Sequence, residues 1–415
     1  MGSTLATPAT GKYTWRKMIY IGANDGFLHG FDARIPAQVT PAPLDPKNTT
    51  YVADAEAGKE IFAYLPNGVF SGLKSLSSPD YVHRYFVDGS PKVSDVYFNN
   101  NWHTVLVGTT GAGGKSIFAL DVSDPSTFSA SKVLWELNDD VANIPANLTG
   151  TASTTFTNNF INNIGYTMQQ PYIGKMRNGK WAAIVSNGYL SANGRAVLFI
   201  IDIETGSIIK TLDTGTGSPT NSNGLSAPLA IDYDATGAID GVVDAIYAGD
   251  LLGNMWKFDV SDISENNWKV AYGSSTSSCS VETTTTPSDC KPLFIACSDK
   301  NNCNTTRQPI TNPPQVGKVG SGQSPSTSVM VYFGTGKYFE TSDNEVTTTQ
   351  TQSFYGVWDE CPLGGSACSA SVAKTSLLQQ TINTQTLADG TLVTATNIAT
   401  ATNPCLLYTS PSPRD

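Results

Sequence analysis

Short apolar runs that alternate with polar positions and stop at glycine, asparagine or aspartate recur along residues 18–359. Alternation of period two bounded by turn residues predicts β-hairpins, and helix-period stripes are scarce. The first hairpin spans residues 20–33, with Asn24, Asp25 and Gly26 in its turn. Residues 58–70 read as one helical turn running into a strand, and residues 83–98 as a strand, a Gly-Ser-Pro turn and a second strand. Another hairpin, residues 105–125, ends its second strand at Asp121. Asn178 and Gly179 make a two-residue turn between "YIGKM" and "WAAIVS", and residues 194–212 follow as a further hairpin. Residues 329–340 and 352–359 give the last recognisable unit. Between these units lie a proline-rich stretch (35–47), an Asn/Thr-rich surface insertion (138–163) and a cysteine-bearing insertion (273–308).

Two of the hairpins are copies. In "YIGANDGFLHGFD" and "YAGDLLGNMWKFD", Tyr20, Gly22, Gly26, Phe31 and Asp32 match Tyr247, Gly249, Gly253, Phe258 and Asp259 at identical spacing. Such self-similarity points to a propeller, solenoid or array. A single hairpin cannot bury its own apolar face, so the copies must stack on one another. Radial repetition, which leaves only short protected edges, gives an all-β propeller of about six to eight blades with loop insertions. A stacked β-solenoid has a shorter, more regular period than this spacing allows.

Composition narrows the partners. Charged residues are only 14%, the net charge is −10 and the pI is near 4.8. A phosphate backbone needs clustered Lys and Arg, so nucleic acid is excluded as a partner. The longest apolar run, residues 196–201, is far too short for a membrane span, and residues 1–11 hold no signal-peptide core. Residues 1–17 read as a truncated or disordered lead-in to a propeller at 18–375. A poorly patterned tail follows at 376–404, and residues 405–415, "CLLYTSPSPRD", resemble an adapter read-through. The other six cysteines are confined to residues 279–368. Sequence neighbours suggest short disulfide loops, Cys279 with Cys290, Cys297 with Cys303 and Cys361 with Cys368, and hence an oxidising, exported setting.

The acidic stretch before the second copy carries the candidate chemistry. Asp232 and Asp234, then Asp240-Gly241 and Asp244, set carboxylates at alternating positions around a glycine bend, with the Val242 carbonyl two residues after Asp240. Calcium takes about six to eight oxygen ligands from loops of this kind. Residues 236–239 look inserted relative to a compact loop, and a second register through Asp232, Asp234, Thr236, Gly237 and Asp240 also fits, leaving Asp244 spare. Close carboxylates repel at neutral pH, which favours a cation among them. The glycine cluster 111–114 is no phosphate loop, because Gly114-Lys115-Ser116 runs into a strand, "IFALDV".

Taken in order, "YIGANDGFLHGFDA", "GKEIFAYLP", "FVDGSP", "FALDVSDP", "SNGY", "GLSAP", "YAGDLLGNMWKFD" and "VYFGTGKYF" resemble the C-terminal propeller of the PilY/PilC family of type IV pilus proteins. The resemblance implies a seven-bladed modified propeller of quinoprotein-like fold, exported to the outer membrane surface or pilus tip of a Gram-negative bacterium. It implies a calcium loop whose first, third, fifth and ninth residues match Asp232, Asp234, Asp240 and Asp244, with a seventh-position carbonyl at Val242. It further implies tip or minor pilins as partners, contact with host or abiotic surfaces, and control of pilus extension against retraction, hence twitching motility. No Arg-Gly-Asp tripeptide supports integrin binding. The rival is a pyrroloquinoline-quinone dehydrogenase propeller. "IDIETGSIIK" matches its tryptophan-docking repeat at Asp202, Thr205 and Gly206, but Lys210 stands at the tryptophan position and no adjacent cysteine pair exists.

Overall fold

The strand Arg195–Asp202 shows why this chain needs runs that are apolar on both faces. A computed structural model of the chain describes residues 3–4, 15–33, 56–233, 239–273, 290–318, 328–344, 351–365, 368–380, 382–386, 392–396 and 407–409. In it Ala196, Leu198 and Ile200 enter one core, while Val197, Phe199 and Ile201 enter another. A strand with both faces covered reads as a continuous hydrophobic run, and each fully buried Leu or Ile contributes roughly 1.5–3 kcal/mol.

Five sheets of three or more strands stand in chain order among the described residues. The first pairs Met18–Gly22, Leu28–Asp32 and Glu60–Tyr64. The second is Lys92–Phe98, Asn101–Thr109, Ile117–Asp121 and Val133–Leu137. The third is Tyr172–Met176, Trp181–Ser186, Arg195–Asp202 and Ile208–Gly217. The fourth is Leu229–Ile231, Ala245–Gly249, Asn254–Asp259 and Lys269–Val270, with Phe294–Ile295 also paired to it. The fifth is Gln315–Lys318, Val329–Gly334 and Phe354–Asp359, extended by Leu407–Thr409 and Leu378–Gln380.

Each of four apolar cores lies between successive sheets, so sheet packs on sheet along the chain. This is the propeller layout that the repeat predicts. The two copied hairpins share one register: Met18 faces Asp32 and Gly22 faces Leu28 in the first sheet, as Ala245 faces Asp259 and Gly249 faces Met255 in the fourth. Gly26 and Gly253 have φ of 103° and 78°, the left-handed region that their turns require. An aspartate closes one strand of every sheet: Asp32, Asp121, Asp202, Asp259 and Asp359, all buried. In four of them a carboxylate oxygen accepts the backbone N–H two residues on, from Ser123, Glu204, Ser261 or Cys361, and so forms the outgoing turn.

Several local expectations are corrected. The strand Glu60–Tyr64 precedes the helical turn Asn67–Phe70, the reverse of the order read from sequence, because Glu136 accepts from the Asn67 and Gly68 N–H groups and fixes the turn there. Residues 83–91 form no strand; only Lys92–Phe98 does. The last unit, read from residues 329–340 and 352–359, does pair, through Val329–Gly334 and Phe354–Asp359, with residues 335–340 outside the strand. The 138–163 insertion is part helix, Thr151–Phe156 running into a π turn at Thr157–Ile161 whose Phe160 and Ile161 are buried. Beyond these corrections, Leu407–Thr409 pairs with Phe354–Tyr355 and with Leu378–Gln380. Ile382–Thr386 and Leu392–Thr396 form a separate pair.

The cysteine expectation holds where it is described. Cys297 is bonded to Cys303 and Cys361 to Cys368. Cys279, the expected partner of Cys290, lies outside the described residues. At Gly206 in "IDIETGSIIK", a Cβ would lie 2.6 Å from Cγ of Trp135, so the glycine docks on a tryptophan supplied by the preceding sheet. No helix among the described residues is long and apolar enough to cross a membrane.

Candidate metal centre

The acidic stretch folds as a crossover between the third and fourth sheets. Leu229–Ile231 ends at Asp232. The chain returns through Asp240 and Gly241, whose φ is +83°, into Val242–Val243, which pairs in parallel with Lys175–Met176 of the third sheet. Asp244 then opens the strand Ala245–Gly249. Its N–H donates to the Ile231 carbonyl at 2.9 Å, and its own carbonyl accepts from Val260 N–H at 2.9 Å. The backbone therefore presents these side chains from two adjoining sheets.

Three of the four predicted carboxylates meet. Asp232, Asp240 and Asp244 each offer an oxygen, all within 4.8 Å of one another. Asp234, like Thr236 and Gly237 of the alternative register, lies outside the described residues. Asp232 accepts from the N–H groups of Asp240 at 3.0 Å and Gly241 at 2.6 Å, which draws the return loop onto it. The Asp240 carboxylate turns its other face to Val242 N–H at 3.1 Å. Asp244 is fully buried, and one of its oxygens accepts from Tyr233 N–H at 2.9 Å.

Sequence reading missed the cation that sits against this cluster. Arg177, in the turn after the strand Tyr172–Met176, donates one guanidinium nitrogen to Asp240 at 2.6 Å and the other to Asp244. No local motif flags it, since it lies more than sixty residues upstream and comes close only through the parallel pairing of Lys175–Met176 with Val242–Val243. Burial pushes the Asp244 carboxyl above its ordinary value, a rise that Arg177 and the Tyr233 N–H oppose and that Asp240 reinforces. Arg177 is held above its own ordinary value, chiefly by its hydrogen bond to Asp244. Tyr172 is pushed up by burial and by the charge of Asp232. The mutual repulsion expected of bare carboxylates is thus already reduced by one guanidinium.

The donor set suits a hard cation. The candidate donor atoms are all oxygens, and ligands on opposite sides of one calcium at about 2.3–2.6 Å would stand about 5 Å apart. The three oxygens within 4.8 Å can share such an ion.

A sequence model described as the PilY1 beta-propeller domain matches residues 2–397. The chain belongs to the PilY1 β-propeller family. Among curated PilY1 relatives, a type IV pilus biogenesis factor PilY1 homolog of Xylella fastidiosa is 38% identical over 369 residues, 86% of this chain and 20% of that protein. The type IV pilus biogenesis factor PilY1 of Pseudomonas aeruginosa is 35% identical over 384 residues, 92% of this chain and 28% of its own length. The chain thus spans between a fifth and under a third of those PilY1 proteins. The crystal structure of the P. aeruginosa PilY1 C-terminal domain matches with a TM-score of 0.63 and 31% identity, covering 95% of this chain and 70% of that one.

Proposed function

We propose that this propeller is the non-enzymatic, calcium-binding part of a type IV pilus biogenesis factor, and that its calcium occupancy sets the balance of pilus extension against retraction. Asp232, Asp234, Asp240 and Asp244 supply carboxylates to one calcium ion and Val242 a carbonyl. The observation that carries this reading is the convergence of Asp232, Asp240 and Asp244 within 4.8 Å, on a strap that pairs with the third sheet and leads into the fourth. A calcium ion supplies two positive charges and fixed oxygen coordination there. Arg177 holds Asp240 and Asp244 in its absence, and must give up both to admit it. Occupancy therefore changes how the Val242–Val243 strap is fastened between two sheets.

The same reading places the protein outside the cell, at the outer membrane surface or pilus tip, in contact with tip or minor pilins and with host or abiotic surfaces. The names of the relatives and the two disulfides support it, since such bonds persist in oxidising compartments. In this reading the ring has seven blades. The exposed Ile19 and Ile21 on the first sheet support further blades, because an apolar face of that kind calls for a neighbour.

Calorimetric titration of the purified chain with calcium tests the site. We expect one ion per chain, with affinity reduced more than tenfold in Asp240→Asn; absence of binding heat in the parent chain overturns the proposal. In the full-length gene, Asp240→Ala with Asp244→Ala is expected to change surface piliation or twitching, and unaltered piliation and motility remove the switch.

Arg177 supports a second reading, in which the guanidinium is itself the resident cation and no metal enters. Arg177→Met separates the two. If calcium competes with Arg177, the variant binds calcium more tightly and calcium raises its Tm. If the arginine is resident, the variant loses about 3–5 kcal/mol of stability, because Asp244 is left buried and unpaired, and calcium restores none of it.

A further inference from the structure

A cavity of about 560 Å³ opens where residues 143–160 lie against the outer strands of the second and third sheets. Its volume falls within the range of small-molecule sites, about 300–1,000 Å³. Trp135, Leu137, Leu148, Phe156, Phe160 and Ile208 supply most of the apolar wall. The wall is held rigidly. Trp135 donates its indole N–H to the Ile203 carbonyl at 3.0 Å and lies against Gly206, while Phe160 packs on Phe156 and on Phe199 with ring centroids 5.2 and 5.0 Å apart. The π turn Thr157–Ile161 forms part of the same wall, a helix irregularity that recurs at functional sites.

Two features define what could fill it. Glu136 is the one charged residue among those lining the cavity, and its carboxylate is already used by the Tyr64 hydroxyl at 2.8 Å and by the Asn67 and Gly68 N–H groups, each at 2.9 Å. An anionic ligand finds no counter-ion there, and a cationic one would have to compete with these three donors for the Glu136 oxygens. Thr211 also lines the cavity, is only 4% exposed, and its hydroxyl has no hydrogen-bond partner. Its cross-strand neighbour is Phe199, which packs between the second and third sheets, so Thr211 faces that same side. A buried hydroxyl without a partner is costly, and it marks the point where a ligand's polar group would be received.

We propose that this cavity binds a neutral, mainly aromatic or apolar small molecule carrying one hydroxyl or carbonyl group, which pairs with the Thr211 hydroxyl. The site is independent of the acidic cluster and of calcium.

The test uses naphthol, naphthalene and naphthoate as probes of one shape and different polarity, titrated into the intact chain by calorimetry. We expect saturable one-to-one binding of naphthol, weaker binding of naphthalene and none of naphthoate. Thr211→Val keeps the shape and removes the hydroxyl, and is expected to weaken naphthol by about three- to tenfold while leaving naphthalene unchanged. Ala152→Trp, at an exposed helix position on the cavity wall, is expected to abolish binding with Tm unaltered. No saturable naphthol binding, naphthoate binding as well as naphthol, or binding that survives Ala152→Trp would each overturn the proposal. Equal loss of naphthol and naphthalene in Thr211→Val would overturn the role of the hydroxyl.

Discussion

The first and fourth sheets carry the same hairpin in the same register, yet they live in different surroundings. Ile19 and Ile21 of the first sheet are 55% and 52% exposed, whereas the aligned Ile246 and Ala248 of the fourth are fully buried. The fourth sheet is packed on both faces, its strand Ala245–Gly249 sending Ala245 and Tyr247 into one core and Ile246 and Ala248 into the other. The described residues pack the first sheet on one side only, through Leu28, Phe62 and their neighbours. Repeated sequence therefore dictates pairing and turn, while neighbours decide what each residue is worth. Position 30 shows this again. A Cβ on Gly30 would lie 2.7 Å from the Phe62 ring, whereas the aligned Lys257 is buried and extends to Asp359, 2.8 Å away.

The largest test of that contrast is the Lys257–Asp359 pair. Asp359 also accepts from the hydroxyls of Tyr247 and Tyr272, and Lys257 donates to the Cys361 carbonyl at 2.6 Å. Burial, reinforced by the Asp359 charge, pushes both tyrosines well above their ordinary value, so they stay protonated donors. Asp359→Ala leaves an ammonium buried among apolar residues and is expected to cost about 3–5 kcal/mol in urea unfolding. Replacing both partners, Lys257→Met with Asp359→Leu, is expected to recover only the share due to the unpaired ammonium, because the Tyr247 and Tyr272 hydroxyls still lose their acceptor. A loss under about 1 kcal/mol in the single variant would mean that water reaches the pair and that the fourth and fifth sheets separate easily.

The aligned isoleucines give the next largest effect. Ile246→Ala opens a cavity between the third and fourth sheets and is expected to cost about 2–5 kcal/mol. Ile19→Ala, on the half-exposed face, is expected to cost under about 1 kcal/mol in the isolated chain. Comparable costs at both positions, measured by urea unfolding, would show that Ile19 is covered in solution and that the two sheets are equivalent after all.

Period-two alternation and turn chemistry located all five sheets because most of their strands pair with the strand next to them in the chain. The Asn178-Gly179 turn, with Gly179 at φ +87°, needed nothing beyond its own residues. The repeat made radial packing legible for the same reason. What escaped was decided at a distance. Arg177 joins Asp240 and Asp244 through a parallel strand pairing that no hairpin rule anticipates. The helical turn Asn67–Phe70 is set by Glu136, some seventy residues on. The insertion read as a surface loop buries Phe160 and Ile161 and encloses a cavity, because its apolar residues are too few and too widely spaced to register as a stripe. The acidic side chains themselves were visible at once, and so was their grouping, since Asp-rich turns announce themselves by composition.

The smallest expected effect separates the two hairpins by pH. Trp256 of the fourth sheet, buried and donating its N–H to Asp250 at 2.8 Å, is replaced in the first by His29. His29 lies 2.8 Å from Glu60 and 3.0 Å from Asp25. Burial alone would lower its pKa, but these two carboxylates raise it above 6.5. A group that binds its proton more tightly when folded stabilises the fold fully below its unfolded pKa, and that gain disappears as pH rises through the folded value. The His29 contribution is therefore expected in full below about pH 6.5 and to be lost above the raised folded pKa. Since Asp25 and Glu60 are themselves about half exposed, its size is expected to stay under about 1 kcal/mol. Unfolding of the parent chain and of His29→Gln, compared across this range, should show the parent's advantage only on the acid side. An advantage that grows instead as pH rises would mean that the imidazole is neutral in the fold and serves only to pack against Phe31.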